Sequence, residues 1–537
     1  MIRICRGRGW QPLRLASAVV LAGCICGGGA WAAETLMPDG TGDLTGALAQ
    51  ALAGTGKTVV VPAGRYRLGA LAVPAGSSLI FQKGAVIKAG AATRFTITGD
   101  NVLIQGAEFD LAAVGEPPAG QPLPALIAGA KVANLVFRDL STSGYGRPGL
   151  TRKKVDLIAL TECRDIEVSA CRISYLNTVV LMARCARAQV FNNRAEQCEA
   201  LTVFAGGSEY LRHRDNWSNG VTFQCMWSGG DCDDSHPWVT PNSTRICKRG
   251  LKPGAPGYVK DCDGAYDITV SGNYAENGTT LAWGAKGRNV ILSGNIARFM
   301  TDMAYDTEGG ENVVISNNIA INSKCAGIGC YFYGERLLIS GNQVLVLNEG
   351  PKELQGGFVR LHSPGDHFGN GEVLITGNQF ISEVAVPAML SVEAARSVLI
   401  KNNTFKNGGI VALPSAERVL VDGCVFDYPG TGPFSAITFN GGRERLVTNC
   451  TFRKTGAEPV EASRGLPAVL MTGTAPYLAV VKGNVFTGWS QSLAARGEGD
   501  GAQFFVVDNL SQGRLDYDPR RTIFTNNHEK MKLNVTP

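Results

Sequence analysis

Residues 266–342 repeat one short phrase four times, as DITVSGN ending at Asn273, NVILSGN at Asn295, NVVISNN at Asn318 and LLISGN at Asn342. The closing asparagines are 22, 23 and 24 residues apart. Within each phrase apolar and polar residues alternate, which is typical of a β-strand with one buried face. A repeat of this length predicts a solenoid in which each phrase is one strand of one coil.

The phrase continues in both directions along the chain. Its other copies end at Asn193, Asn216, Asn378, Asn403, Cys424, Cys450, Asn484 and Asn509. Strands of neighbouring coils lie about 4.8 Å apart, so equivalent residues form columns, and the asparagines are expected to bond from coil to coil as an internal ladder. A second column lies two residues later: Ala275, Ala297, Ala320, Val344, Phe380, Phe405, Phe426, Phe452 and Phe486. These columns predict an all-β chain wound as a parallel β-helix.

Residues 1–33 have the composition of a secretion signal. Four arginines precede a run of small and apolar residues, LASAVVLAGCICGGGAWA, which is typical of such signals. An A-x-A sequence ending at Ala32 predicts simple cleavage, whereas the lipobox ending at Cys24 predicts a lipid on that cysteine, the one membrane attachment we expect. Both alternatives predict an exported protein, in the periplasm, the outer membrane or the medium.

The net charge does not indicate a nucleic-acid partner. The formal net charge of the whole chain is +5, and the four arginines of residues 1–33 account for most of it. The rest of the chain is therefore nearly neutral, so no nucleic acid is expected as a partner. A single elongated domain accommodates the length, because a solenoid grows without enlarging its core.

Cysteines occupy equivalent positions in successive coils. Cys163 and Cys185 form one such pair, and Cys424 and Cys450 form another. The spacing of neighbouring strands lies within the Cα range of a disulfide, and export would permit the bond. Disulfides are therefore expected, although free cysteines that replace asparagine in the ladder explain the second pair equally well. Four further cysteines are expected to staple an insertion: Cys225, Cys232, Cys247 and Cys262.

The start of the chain after the signal predicts a helical cap. Following the turn PDGTGD, Asp43 can cap an amphipathic helix that carries Leu44 and Leu48, and VVVPAGRY then begins a series of short strands. These motifs resemble the start of the pectate-lyase-like right-handed parallel β-helix superfamily, which includes polygalacturonase-related proteins, polysaccharide lyases, uronan epimerases and phage tailspikes. The resemblance covers nearly all of the chain after residue 33 and implies that long sugars bind along an outward face.

Domain boundaries follow from these segments. We predict a signal at 1–33, an N-terminal cap at 34–95, the β-helix at 96–515 with an insertion at about 220–261, and a C-terminal tail at 516–537. The catalytic pattern of polygalacturonases (Asn-Thr-Asp, Asp-Asp, Gly-His-Gly and Arg-x-Lys) is absent, as is the Asp-Pro-His-Asp of alginate epimerases. The resemblance therefore assigns no catalytic residue, because one scaffold hosts several chemistries.

The strand that precedes each phrase predicts the outward face. Alternate residues of a strand point to opposite faces, and one alternate set, here called one parity, is apolar and is expected to face the core. Its members are Val180, Met182, Val203, Ala205, Ala282, Gly284, Val359, Leu361, Leu390, Val392, Val411 and Leu413. The other parity is expected to face outward: Phe204, Trp283, Asp306, Glu308, Cys330, Phe332, Arg360, His362, Ser391 and Glu393. Aromatic rings cover sugar C–H surfaces and charges bond hydroxyls, so a sugar groove is expected, with Phe204, Trp283, Phe332 and Glu393 contacting substrate.

Asp306 and Glu308 are the first catalytic candidates. At positions i and i+2 of one strand they point the same way, with Cα atoms roughly 6.6 Å apart. That range suits inverting hydrolysis, in which one carboxylic acid protonates the leaving oxygen and a carboxylate activates water. The alternatives are a solvated polar patch or a calcium site that includes Asp302 or Glu276.

Arg360 and His362 are the second catalytic candidates, at the same spacing on another strand. His362 is a potential proton shuttle, and Arg360 a potential uronate clamp or lyase base. The alternative is a plain surface pair. The insertion at about 220–261 is expected to overhang the groove with Trp227, Trp238 and Tyr258, of which Trp238 is expected to contact substrate.

Three functions follow from this face. The favoured one is hydrolysis of a polysaccharide, with Asp306 and Glu308 as acid and base. The second is a lyase or C5-epimerase acting on a uronic-acid polymer, in which Arg360 or His362 removes the proton next to the carboxylate and Ca²⁺ is the one cofactor considered. The third is a β-helix that binds a glycan without catalysis.

Overall fold

The chain is a right-handed parallel β-helix with a helix at its N-terminal end, as predicted. The structure, a computed structural model, describes residues 34–35, 42–115, 123–144, 155–228, 265–331, 334–354, 357–362, 370–429, 434–455, 466–473, 478–497, 503–517 and 520–529. Residues 1–33, with the expected signal and Cys24, lie outside these ranges, so export and lipidation stay predictions. No helix in this described part is long and apolar enough to cross a membrane.

The helix covers the N-terminal end of the core. It spans Thr45–Ala51, and Leu44 and Leu48 are fully buried. Leu44 is the N-cap residue, and Asp43 precedes it by one residue. Asp43 Oδ1 accepts a hydrogen bond of 2.8 Å from the backbone N–H of Thr45. A single 3₁₀ turn, Lys352–Leu354, is the other helical element of the described chain.

The repeated phrases form a 19-stranded parallel sheet, named here the ladder sheet. In most of its strands every second residue is buried, as the alternation predicts. Its strands are Glu34–Thr35, Thr58–Val61, Ser78–Phe81, Val102–Gln105, Ala133–Arg138, Arg164–Ser169, Ala186–Phe191, Glu209–Arg214, Tyr266–Ser271, Arg288–Ser293, Glu311–Ser316, Glu335–Ser340, Asn370–Thr376, Ala395–Lys401, Ala416–Asp422, Glu444–Thr448, Leu478–Lys482, Gln503–Val507 and Thr522–Thr525.

A second stack of strands follows the turn after each ladder strand and is named the short-strand sheet. Most of its strands have three to five residues, because the coil bends again immediately after them. They are Gly64–Arg67, Ala85–Lys88, Glu108–Asp110, Ser141–Ser143, Arg172–Ser174, Arg194–Glu196, Trp217–Asn219, Tyr274–Glu276, Ile296–Met300, Ile319–Ser323, Gln343–Val346, Val425–Tyr428, Thr451–Lys454, Val485–Thr487, Leu510–Ser511 and His528–Glu529.

A third stack, named the groove sheet, closes each coil and carries the candidate site. Its strands are Ala70–Val73, Arg94–Ile97, Ala125–Ala130, Asp156–Thr161, Thr178–Ala183, Ala200–Ala205, Phe223–Ser228, Thr280–Ala285, Met303–Glu308, Ala326–Tyr331, Val359–His362, Ile437–Asn440, Val469–Gly473, Gln491–Gly497 and Arg514–Tyr517. Two long strands, Gln379–Val392 and Thr404–Ala412, pair with both stacks and join them into one 33-stranded sheet.

The predicted asparagine ladder is confirmed. Asn295 Nδ2 donates to Asn318 Oδ1 at 2.9 Å and to the carbonyl of Val270 at 2.9 Å, and its own Oδ1 accepts from the backbone and the side chain of Asn273. The same pattern runs from Asn193 to Asn403 and resumes from Asn484 to Asn527. The amides therefore satisfy turn backbone that the bend would otherwise leave unpaired.

The second predicted column is also confirmed, and it fills the coil interior. Phe380, Phe405, Phe426, Phe452 and Phe486 stack with ring centroids 4.7–5.0 Å apart. The alanine members of the column are buried in the earlier coils. The rings lie at the strand spacing, so each coil contributes one layer to a continuous core.

The predicted disulfides are not present in the described part of the chain. Cys163, Cys185, Cys424 and Cys450 are buried free thiols, and the thiols of each pair contact one another by hydrogen bonding. In-register stacking places equivalent Cβ atoms about 4.8 Å apart, beyond the 3.5–4.5 Å of a disulfide. Cys424 and Cys450 instead replace asparagine in the ladder, which was the alternative for that pair.

The predicted staple of the insertion is wrong for Cys225. It is a fully buried free thiol within Phe223–Ser228 and belongs to the core. Its inward place follows from its register with Ala282, another core residue. The other three proposed staple cysteines, Cys232, Cys247 and Cys262, lie outside the described residues.

Candidate active site

Five successive strands of the groove sheet bring the predicted site residues together. One outward column contains Trp283, Asp306, Gly329, Arg360 and Ser391 in register. A second outward column, two residues further along each strand, contains Ala285, Glu308, Tyr331 and His362, and Glu393 follows beside His362. The structure therefore places both carboxylates, the Arg–His pair and Glu393 on one face, as predicted.

The inward and outward assignment is wrong at several other residues. Phe204 is fully buried in the main core, whereas Val203 and Ala205 face away from that core and pack in a second cluster. Cys330 is likewise in the core, where it was expected outside. At Thr404–Ala412, the inward pair is Ile410 and Ala412 rather than Val411 and Leu413.

The physical reason is that both faces of these strands are apolar. Val203 and Ala205 pack with Leu181, Met226 and Trp283 into a buried cluster on the outer face. When both faces of a strand are buried, hydrophobicity no longer distinguishes them, and a slip of one residue reverses every side chain. Phe204 is therefore not available to substrate.

Asp306 is enclosed beside a glycine in the next coil. Its side chain is 2% exposed, and among the described residues its Oδ1 has no hydrogen-bond partner. A Cβ at Gly329 would lie 2.1 Å from Met303 Sδ and 3.2 Å from Asp306 Oδ1, so glycine provides the space beside the carboxyl group. Burial, with the nearby charges of Glu308 and Asp302, raises the pKa of Asp306 well above its ordinary value.

Glu308 titrates near neutrality. Burial raises the pKa of Glu308 to about 7, and the charge of Asp302 acts in the same direction. A hydrogen bond donated by Trp283 stabilises the carboxylate and opposes this rise. Two interacting carboxyl groups on one strand can therefore differ in protonation at neutral pH, which is the condition that acid–base catalysis requires.

Arg360, His362 and Ser391 converge on one carboxylate. Arg360 Nε donates to Glu393 Oε1 at 2.8 Å, Ser391 Oγ donates to the same oxygen at 3.2 Å, and His362 Nδ1 bonds Glu393 Oε2. Burial opposes ionisation of Glu393, but Arg360 and His362 outweigh it and hold its pKa below the ordinary value. Glu393, predicted to contact substrate, is thus occupied with orienting its neighbours.

Tyr331 is the site residue that the sequence analysis missed. Its ring contacts His362 edge to face with centroids 5.1 Å apart, and it hydrogen-bonds Arg360. Burial raises the pKa of the Tyr331 hydroxyl, so it is protonated at neutral pH. Cys330 pairs with Thr307 in the inward column, so Tyr331 faces outward beside Glu308, a register that the sequence alone did not reveal.

The structure describes only some of the aromatic residues that the sequence analysis expected along the groove. Trp283 lies on the outer face, 7% exposed, and contacts Phe223 at 5.6 Å between ring centroids. Trp227, expected in the insertion, is buried in the core, where Gly284 makes room because a Cβ there would lie 2.0 Å from the indole. Phe332 and Trp238 lie outside the described residues, so their substrate contacts stay predictions.

The calcium alternative depends on the carboxylates around Asp306 and Glu308. Asp302 lies close enough to raise the pKa of both Asp306 and Glu308. Among the residues that the structure describes, however, no group of three or more His, Cys, Asp or Glu has an arrangement that could hold a metal ion. Asp302 instead hydrogen-bonds the thiol of Cys325.

Comparison with known proteins gives similarity of fold. No protein-family model and no curated protein sequence matches the chain. The chain is similar to DFA-IIIase from Arthrobacter chlorophenolicus without its lid, in complex with GF2, with 10% identity over 68% of this chain and 83% of that chain and a TM-score of 0.41.

Two other solved structures are similar to a comparable degree. For an exopolygalacturonase from Thermotoga maritima, identity is 12% over 76% of this chain and 92% of that chain, with a TM-score of 0.34. For a variant of the tailspike protein of E. coli bacteriophage HK620, in complex with a pentasaccharide, identity is 10% over 85% and 74%, with a TM-score of 0.35. These values are too low to bear on the activity of this chain.

Proposed function

We propose that the chain is a carbohydrate-active hydrolase that cleaves a polysaccharide on the outer face of the groove sheet. The observation that carries the proposal is the Asp306–Glu308 pair, two neighbouring carboxyl groups whose pKa values are both raised. Groups tuned in this way are concentrated at catalytic sites. Export, predicted from residues 1–33, is part of the same proposal.

The two carboxyl groups take different roles. Burial and the charge of Glu308 raise the pKa of Asp306 and favour its protonated form, so we assign Asp306 as the donor to the leaving glycosidic oxygen. Glu308, with a pKa of about 7, is ionised in a large fraction of molecules and accepts a proton from the attacking water. The Cα atoms of residues i and i+2 of a strand lie roughly 6.6 Å apart, and carboxyl groups at about that separation would suit inversion at the anomeric carbon.

The residues around the pair fit a sugar ligand. The indole of Trp283, which is 7% exposed and packs in the second cluster, hydrogen-bonds Glu308 and holds its carboxylate in place. On the other side Arg360 and His362, oriented by Glu393, supply donors for sugar hydroxyl or carboxylate groups. The groove along successive coils suits a polymer because each rung presents a new side chain.

A uronan lyase or epimerase is the second candidate, and one contact favours it. Tyr331 and His362 lie edge to face at 5.1 Å, and such a pair can remove and return a proton next to a carboxylate. Arg360 is a poor base in this arrangement, because its hydrogen bond to Glu393 raises its pKa. If this reaction occurs, the residues that perform it are His362 and Tyr331.

The test is a digest of the purified protein against neutral and uronic polysaccharides. Reducing ends and the ultraviolet absorbance of unsaturated sugars are followed in the same samples. Hydrolysis produces reducing ends without absorbance, whereas a lyase produces both. Asp306→Asn and Glu308→Gln are compared with the control Glu372→Gln, which changes an exposed carboxylate on the ladder sheet.

Each outcome separates the candidates. Reducing ends that disappear in both site variants and persist in the control support the hydrolase. Absorbance that survives in Glu308→Gln and disappears in His362→Ala supports the lyase. Silence across a broad panel, with isotope exchange from solvent into a uronan also absent, contradicts both enzymes and leaves a glycan-binding β-helix.

A further inference from the structure

A second groove lies at the corner between the ladder sheet and the short-strand sheet. It has a volume of about 810 Å³, and a neighbouring cavity of about 520 Å³ shares four of its lining residues, Glu108, Ser141, Arg172 and Arg194. The two cavities therefore form one channel along the helix axis. No residue of the candidate active site lines it.

The floor of this channel is one column of the short-strand sheet. Glu108, Ser141, Arg172, Arg194 and Trp217 occupy the same position in five successive coils. The rungs are about 4.8 Å apart, which is close to the advance of one unit in an extended sugar chain. A linear glycan lying along the axis would therefore present about one unit to each side chain.

Positive charge is concentrated at one end of the column. Arg194 is fixed by Glu196, with Nη2 and Nε at 2.7 and 3.0 Å from Oε1, and its guanidinium lies 4.1 Å from the centroid of the Trp217 ring. Arg172 is exposed in the preceding coil, and no hydrogen bond or ion pair joins its side chain to another described residue. Arg194 carries its own counter-charge in Glu196, so the charge that an anion would meet in this column is chiefly that of Arg172, with the Arg194 guanidinium one rung away.

The acidic residues of the channel already have partners in the protein. Glu108 Oε1 accepts from Ser143 at 2.6 Å, Asp139 Oδ2 from Gln105 at 3.0 Å and Asp215 Oδ2 from Arg214 at 2.9 Å. Ser143 and Gln105 are neutral donors, so Glu108 and Asp139 keep their negative charge, whereas Asp215 is paired with a cation. Within the described part of the chain the guanidinium of Arg172 has no bonded carboxylate, and Lys83 adds a second positive charge to the lining. The channel thus offers a bidentate donor for a carboxylate or sulfate next to the Arg194–Trp217 stack.

We propose that this channel is a second glycan-binding site, which holds an extended anionic polysaccharide with its carboxylate or sulfate groups against Arg172 and Arg194. Ser141 and the face of Trp217 contact the uncharged parts of the sugar. The site binds the polymer without reacting with it, and it does not depend on the reaction at Asp306 and Glu308.

Isothermal titration tests this site in a Glu308→Gln background, in which bound polymer is not consumed. The probes are sodium polygalacturonate, dextran sulfate and neutral dextran, so the carboxylate and sulfate arms share an uncharged control. Arg172→Gln is compared with Arg212→Gln, which removes an exposed arginine from the ladder sheet of a neighbouring coil. Thermal unfolding of each variant verifies the fold.

We expect Arg172→Gln to weaken binding of at least one anionic polymer about tenfold, the scale of one charge-assisted hydrogen bond. Arg212→Gln should leave the affinity unchanged, and Arg172→Lys, which keeps the charge but loses the planar fork, should give an intermediate loss. Equal losses in Arg172→Gln and Arg212→Gln would indicate diffuse charge attraction and overturn the site. So would the absence of binding to both anionic polymers.

Discussion

The ladder turn and the groove face lie on the same coils, yet they use their columns in opposite ways. In the ladder, successive coils repeat one residue, as in Asn273, Asn295 and Asn318. On the groove face, successive coils change from Trp283 to Asp306 and, two rungs later, to Arg360. Within each column the backbone geometry repeats from coil to coil, so this geometry explains the repeated asparagine but not the variation on the groove face. Variation within a register column therefore indicates a function.

The two regions also differ in how completely their polar atoms are paired. The side chain of Asn295 makes four hydrogen bonds, and the backbone carbonyl of Asn295 additionally accepts from the hydroxyl of Tyr305. Asp306 is just as deeply buried, but its Oδ1 has no partner among the described residues. An unpaired buried carboxyl group lowers stability, so its retention is explained by what it does to a ligand.

The largest effect expected is the loss of turnover when the groove carboxyls change. Asp306→Asn and Glu308→Gln should each lower kcat by about 10²–10⁴-fold, because each removes one acid–base step. Initial rates on the substrate found by the digest measure this loss. The unfolding temperature should not fall in either variant. A variant that retains more than a third of its kcat would exclude that carboxyl group from the chemistry.

The ladder should show the reverse behaviour. Asn295→Ala leaves the backbone N–H of Asn273 and the carbonyl of Val270 without their partners. We expect a loss of about 2–4 kcal/mol in the free energy of unfolding, since several buried groups lose bonds worth about 1 kcal/mol or more each. Turnover per folded molecule should be unchanged.

Chemical denaturation measures this ladder effect, with Asn348→Ala, an exposed asparagine, as control. Asn295→Cys provides a graded comparison, because Cys424 and Cys450 already replace asparagine in the same column. It should lose less stability than Asn295→Ala. Equal losses for Asn295→Ala and the exposed control would show that the ladder contributes nothing beyond ordinary surface amides.

A smaller effect is expected for Glu393, which forms a hydrogen-bonded network with Arg360, His362 and Ser391 on the groove face. Glu393 orients Arg360 and His362 without reaching the reacting pair, so it is a positioning residue. Glu393→Ala should lower kcat/KM about 10–100-fold, the scale of a misplaced catalytic or binding group. Glu393→Gln, which keeps an acceptor for His362, should recover part of the loss. Rates that are identical for the two variants would mean that only bulk at this position matters.

The fold was predictable from sequence because the ladder repeats a strong signal. Asparagine at a fixed spacing, followed two residues later by alanine or phenylalanine, has one physical explanation in stacked coils. The face that carries the candidate site was predictable only where one of the two alternate sets of residues in a strand was polar. Asp306, Glu308, Arg360 and His362 fall in that class, because charged side chains rarely face a protein core without a partner there.

The sequence was ambiguous where apolar residues occupy both parities. Phe204 and Val203 are both buried, but in different clusters, so an alternation of hydrophobicity could not separate them. Tyr331 was missed for a related reason, since Cys330 is small and compatible with either face. The contacts of Glu393 could not be predicted, because two of its three partners, Arg360 and His362, lie on a strand 33 and 31 residues earlier in the sequence.

The smallest effect is a gain in stability from the same substitution that abolishes turnover. Burial raises the pKa of Glu308 from 4.5 to about 7, so the folded state binds more protons than the unfolded state between these values. Stability contributed by the protonated form is complete below pH 4.5 and is lost as the pH rises through 7. The free energy of unfolding of Glu308→Gln should therefore be about 1–2 kcal/mol higher than that of the wild type at pH 8, and equal to it at pH 4.

Urea titrations at the two pH values measure this difference, and Glu372→Gln should show none. A gain that is equal at both pH values would come from packing rather than from the charge of Glu308. The groove face would then not differ from the ladder in carrying a buried charge that lowers stability.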